Sequence, residues 1–92
     1  MAKSILQEKK ECFVCRTTQN LQLHHVLYGT SNRRQADKYG LTVWLCIRHH
    51  TGDRGAHFDK GLDLKLKEMA QAKFEETHTR EEFIRIFGRN YL

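Results

Sequence analysis

Leu41-Thr42-Val43-Trp44-Leu45-Cys46-Ile47-Arg48-His49-His50 changes character halfway along. Residues Leu41 to Leu45 are rich in β-branched and aromatic side chains and read as a strand. The half that follows carries Cys46-x2-His49, a spacing at which a thiolate and an imidazole grip one ion from a tight turn. Upstream, Asn20-Leu21-Gln22-Leu23-His24 alternates polar and apolar residues, the pattern of a half-buried strand. Between the two strands, Gly29 to Asn32 reads as a turn. Ser31 is placed to cap a short helix from Asn32 to Tyr39, and Gly40 to end it. Two paired strands and a short helix predict a small α+β fold.

From Asp59 onward the period becomes helical. Leu62, Leu66, Met69, Ala70, Lys73 and Phe74 fall on one stripe, which reads as core packing. Thr79 and Glu82 form a capping box ahead of Phe83, Ile84, Ile86 and Phe87, and Gly88 stops that second helix. At the other end, Ser4 to Lys10 predicts a short polar helix leading into a Cys12–Cys15 turn. The C-terminal third is therefore scaffold, and the chemistry lies between Cys12 and His57.

The chain has 92 residues, enough for one domain, and 39% of them are hydrophobic. A core this small needs support from a disulfide, a metal or a partner. Three cysteines, an odd number, do not close into a disulfide framework. No apolar run approaches the ~20 residues of a membrane span, and Met1-Ala2-Lys3-Ser4 opens no signal peptide. A reducing cytoplasm is the expected compartment. Sixteen Lys and Arg against eleven Asp and Glu leave a net charge of +5, which favours a polyanionic partner.

Cys12-x2-Cys15 and Cys46-x2-His49 are two ligand pairs that together complete a tetrahedron of three thiolates and one imidazole, a closed structural zinc site. The competing reading makes Cys46 an ordinary buried strand cysteine. Four of the six histidines form two doublets, His24-His25 and His49-His50, with His57 close behind. Neighbouring side chains in a strand point to opposite faces. One ring of the first doublet can therefore bind an ion while the next faces water or phosphate. With His49 assigned to zinc, His50 is free for a second ion, and His57 completes an open three-ligand site. Such a site suits hydrolysis, in which the ion polarises a phosphoryl oxygen and a neutral imidazole takes a proton from water. The bland alternative has a histidine pair bonding to backbone in a polar loop. Arg33, Arg34 and Arg54, with Lys38 and Arg48, surround the histidines and are candidate phosphate contacts, since guanidinium forks bind phosphate oxygens bidentately.

Cys12-x2-Cys15, then Leu23-His24-His25-Val26, then Val43-Trp44-Leu45-Cys46-x2-His49-His50 resembles the pattern of HNH (ββα-metal) endonucleases. The chain is similar over nearly its whole length to small HNH-like proteins of phages and prophages. Lys38 to Cys46, His57 and the ending Arg80 to Leu92 carry that likeness. The resemblance implies a zinc-supported ββα-metal domain with additional C-terminal helices that hydrolyses DNA with little sequence readout, leaving 5′-phosphate and 3′-hydroxyl ends. It implies His24, His50 and His57 as ligands of a catalytic divalent ion (Mg2+, Mn2+, Ni2+ or Zn2+) and His25 as general base. His49 stands where the family has a second cysteine. The family's central Asn, expected near Leu41, is missing, and Asn32 is its candidate substitute. Two other readings stay open: a zinc-supported DNA- or protein-binding module without turnover, and a phage-encoded accessory protein acting on a phage or host partner.

Overall fold

A computed structural model describes residues 3–52, 55–57 and 59–92. Arg54 thus lies outside the described residues. Among them are two strands and four helices in the order β1 (Leu21–His25), α1 (Thr30–Tyr39), β2 (Thr42–Cys46), α2 (Ile47–His50), α3 (Lys60–Phe74) and α4 (Arg80–Phe87), a small α+β arrangement. The strands pair antiparallel, with His24 opposite Val43 and Leu21 opposite Cys46. Both begin one residue later than the sequence pattern predicts. Asn20 is held at φ 54, a left-handed conformation that Asn tolerates and that ends the strand there. Leu41 is still engaged with the end of α1, donating its N–H to Ala36 at 2.8 Å.

Two predicted local features, a helix cap and a helix, do not form. Ser31 does not cap α1: the Gly29 carbonyl already accepts from the Arg33 N–H at 2.8 Å, so the first turn closes two residues earlier, without a side-chain cap. Nor do residues Ser4 to Lys10 form a helix. They run along the outer edge of β2, whose backbone groups would otherwise lack partners. Ile5 N–H donates to Gly40 at 2.9 Å, the Ser4 hydroxyl donates to the Thr42 carbonyl, and Trp44 N–H donates to Gln7 Oε1 at 2.8 Å. Gly40 allows this close passage: it adopts φ +72 as the helix stop, and a Cβ there would collide with the Lys3 carbonyl.

The core joins the sheet to α3 and α4 through Val26, Leu27, Leu41, Val43 and Leu45 on one side and Leu66, Ala70, Phe74, Phe83 and Phe87 on the other. Lys73, which the sequence places on the α3 stripe, is exposed, and Gln71 is buried in its stead. The amide of Gln71 is fully satisfied. It donates to Glu75 and Asn90 at 2.8 Å each and accepts from Tyr91 N–H at 2.7 Å, which ties the chain's last residues to α3. The capping box forms as predicted, and Gly88 ends α4 at φ 78. No helix among the described residues is long and apolar enough to cross a membrane.

Candidate metal centres

The Cys12–Cys15 turn is pinned before any ion is considered. Arg16 N–H returns to the Cys12 carbonyl and Phe13 N–H reaches the Trp44 carbonyl, each at 2.8 Å. This sets the turn beside Cys46, the last residue of β2, and His49 on α2. The four ligand atoms lie within 4.8 Å of one another. Tetrahedral zinc at ~2.3 Å from sulfur and ~2.0–2.1 Å from nitrogen separates two sulfurs by about 3.8 Å and sulfur from nitrogen by about 3.6 Å. Cys15 and Cys46 sulfurs stand 3.8 Å apart, and His49 Nδ1 lies 3.7 Å from Cys12 Sγ and 3.2 Å from Cys46 Sγ. All three cysteines are free thiols. Burial raises the Cys12 thiol, but backbone hydrogen bonds from Cys46, Cys15 and Val14 outweigh it and bring it down to about 6. A thiol readied as thiolate is what a zinc ligand requires. Cys12, Cys15, Cys46 and His49 are therefore close enough to hold a metal ion and compatible with structural zinc.

A second cluster stands next to the first. His24, on β1, is almost wholly buried at 1% exposure, and its Nε2 has no hydrogen-bond partner among the described residues. An unsatisfied buried nitrogen is costly unless something else binds it. Its ring faces those of His50 and His57, with centroids 5.1 and 5.2 Å away, and the three offer ligand atoms within 4.8 Å of one another. His50 Nε2 and His57 Nε2 are 3.2 Å apart, where two nitrogens sharing a tetrahedral ion sit about 3.3 Å apart. Burial, reinforced by the neighbouring His50, His57, His25 and Lys67, pushes His24 down to about 3, and burial followed by His57 lowers His50. Both rings are thus neutral and keep a lone pair to give.

His57 reaches this cluster because the chain folds back on α2. Ala56 N–H donates to the His49 carbonyl at 2.9 Å. Gly55 packs so tightly that a Cβ there would fall 2.5 Å from the His50 carbonyl. Gln22, two residues before His24 on the same strand face, accepts from His50 Nδ1–H at 2.7 Å and so turns Nε2 toward the cluster.

These rings open into a cavity of about 530 Å³ lined by Leu23, His24, His25, Tyr28, Gly29, Arg33, His50 and His57. His25 Nε2 lies 3.3 Å from Asp37 Oδ1 on α1. Donation of Nε2–H to that carboxylate leaves the lone pair on Nδ1. Of the arginines singled out by the sequence, Arg33 lines the cavity, whereas Arg34 is exposed and does not. Asn32 is not among the lining residues either. Sequence reasoning missed Gln22, Asp37 and Tyr28. Strand periodicity alone pointed to Gln22, because it shares a face with His24.

No family model, no curated protein and no solved structure matches this chain.

Proposed function

We propose that the chain is a metal-dependent DNA endonuclease of the ββα-metal (HNH) class, hydrolysing phosphodiester bonds with little sequence readout. The observation that carries this reading is the orphaned Nε2 of buried His24, facing His50 and His57 at the floor of an open cavity that also holds His25. The elements supplying these groups run β1 with His24 and His25, then α1, β2 and α2 with His50, and this order of two strands and a helix, with α1 between the strands, supports the reading.

His24, His50 and His57 would hold a divalent ion, which when bound would supply positive charge to a phosphoryl oxygen and to the leaving oxyanion. The donor set bears on which ion. Imidazole suits Zn2+ and Ni2+, whereas Mg2+ takes oxygen ligands and retains its waters, and among the described residues this cluster contains no carboxylate. His25 acts as general base: Nδ1 takes a proton from the attacking water as the new P–O bond forms and the bond to the 3′ oxygen breaks. The resulting alkoxide is protonated from solvent. Asp37 is a positioning residue that fixes the tautomer and orientation of His25, a task the missing family Asn leaves open. Arg33 at the cavity wall contacts phosphate.

The test is cleavage of supercoiled plasmid by purified protein with Mg2+, Mn2+, Ni2+ or Zn2+, beside His25→Ala. Nicked or linear product from the wild type, lost in the variant, supports the assignment. DNA binding without cleavage under all four ions would point to a module that binds and does not turn over, the reading favoured by the absent Asn near Leu41.

A further inference from the structure

A second cavity, of about 360 Å³, adjoins the histidine cavity and shares Tyr28 and His57 with it. Its remaining walls are Ala56, α3 residues Lys60, Asp63, Leu64 and Lys67, and Arg89 and Tyr91 from the tail that Gln71 ties down. The single acid among the lining residues is half committed: Asp63 Oδ2 holds Lys67 Nζ at 2.9 Å, while its buried Oδ1 has no hydrogen-bond partner among the described residues. Lys67 is in turn fixed against aromatic rings, 4.4 Å from the Tyr28 centroid and 5.5 Å from that of Tyr91. Lys60 and Arg89 are both exposed and make no ion pair among the described residues. The cavity therefore presents two cations without an acidic partner among the described residues, Lys60 and an Arg89 that lies 5.4 Å over the Tyr91 ring, a third fixed positive charge and two tyrosines whose rings are held in place, all next to the proposed hydrolytic centre. Cations tracking a backbone beside aromatic rings are the chemistry that binds unpaired nucleotides, since every base has a π-face to stack while its phosphate is neutralised.

We propose that this cavity holds the nucleotide adjacent to the scissile phosphate in an unpaired state, its base stacked on Tyr28 and its phosphate on Arg89 and Lys60. Tyr91 closes the far wall. The inference rests on the nuclease reading and deepens it. The preferred substrate is DNA with a single-stranded stretch at the cut, such as a flap, gap or overhang, over a continuous blunt duplex. Lys67 is a positioning residue: through Asp63 it holds the Tyr28 ring at the junction of the two cavities.

The experiment measures binding separately from cleavage. In a His25→Ala background loaded with zinc, fluorescence anisotropy compares a blunt duplex with the same duplex bearing a single-stranded overhang. Tighter binding of the overhang is expected, with Tyr28→Ala reducing that preference roughly 5- to 20-fold and Tyr28→Phe retaining it. Arg89→Glu, at an exposed position, weakens overhang binding and lowers the slope of log affinity against log salt by about one. Equal affinity for the two substrates, or an overhang preference that survives both Tyr28→Ala and Arg89→Glu, overturns the subsite. Plasmid cleavage by the wild type under that outcome leaves the nuclease reading standing. Failure of the wild type to cleave with any ion, combined with a Tyr28-dependent overhang preference, removes the nuclease and keeps the nucleotide site.

Discussion

Gln22 Oε1 lies 2.7 Å from His50 Nδ1, joining the middle of β1 to the last residue of α2. The bond fixes which nitrogen of His50 carries the proton and leaves the other aimed at His57. Outer partners of metal-binding histidines typically contribute 10- to 100-fold in affinity or activity. Gln22→Leu is expected to weaken the second ion by about that factor while leaving the thiolate-bound ion in place. Metal titration followed by calorimetry reads the two separately, and an unchanged second binding event refutes the role given to Gln22.

The thiolate site is expected to hold about one zinc per chain and to carry much of the folding energy. Cys12→Ser or Cys46→Ser should lower Tm steeply. A loss of only ~3 kcal/mol corresponds to a drop of roughly 12–24 °C in a domain of this size. Elemental analysis that finds no zinc, with Cys46→Ser melting like the wild type, would remove the knuckle from the account.

His25 and Asp37 are expected to separate by the kinetic constant they change. His25→Ala should lower the cleavage rate by about two to four orders of magnitude, as removal of a general base does, with DNA affinity and zinc content preserved. Asp37→Asn should lower kcat by about 10- to 100-fold at nearly constant KM, because it misorients the base without touching substrate. An Asp37 variant that alters KM alone would mean the carboxylate meets the DNA and does not position His25.

DNA affinity is expected to fall steeply with salt, since phosphates supply most of it. Arg33→Ala should reduce the salt slope by about one, and Arg34→Ala should change it less, because only Arg33 lines the cavity. Affinity indifferent to ionic strength would point to a protein partner.

How much of this was legible in the sequence follows from the range of each interaction. Gly40, Gly88 and the Thr79–Glu82 box act within a few residues, and all appear where the sequence places them. The two Cys/His pairs and the histidine doublets were legible as spacing, and the antiparallel register does the remaining work of bringing β1 beside Cys46. Ser4 to Lys10 misled because its local helical preference competes with something no local pattern displays, the open edge of β2 with carbonyl and N–H groups in need of partners. Asp37 and Gln22 escaped notice for the same reason. Each meets its histidine only after α1 and α2 have docked on the sheet.

Helix α2 has four residues and buries none of them, too little to hold its own shape. Yet His49 and His50, adjacent on it, belong to different clusters. A zinc held by the thiolates would therefore splint α2 and present His50 to its partners, giving assembly an order. On the proposed reading, the first equivalent of metal would go to the sulfurs and the second to the histidines that this splint steadies. Because linkage is reciprocal, an ion among the histidines would also tighten the hold on zinc. A chain made during metal starvation would carry every residue of the second centre with no second centre to show for them, and a trace of zinc would arm it without new synthesis.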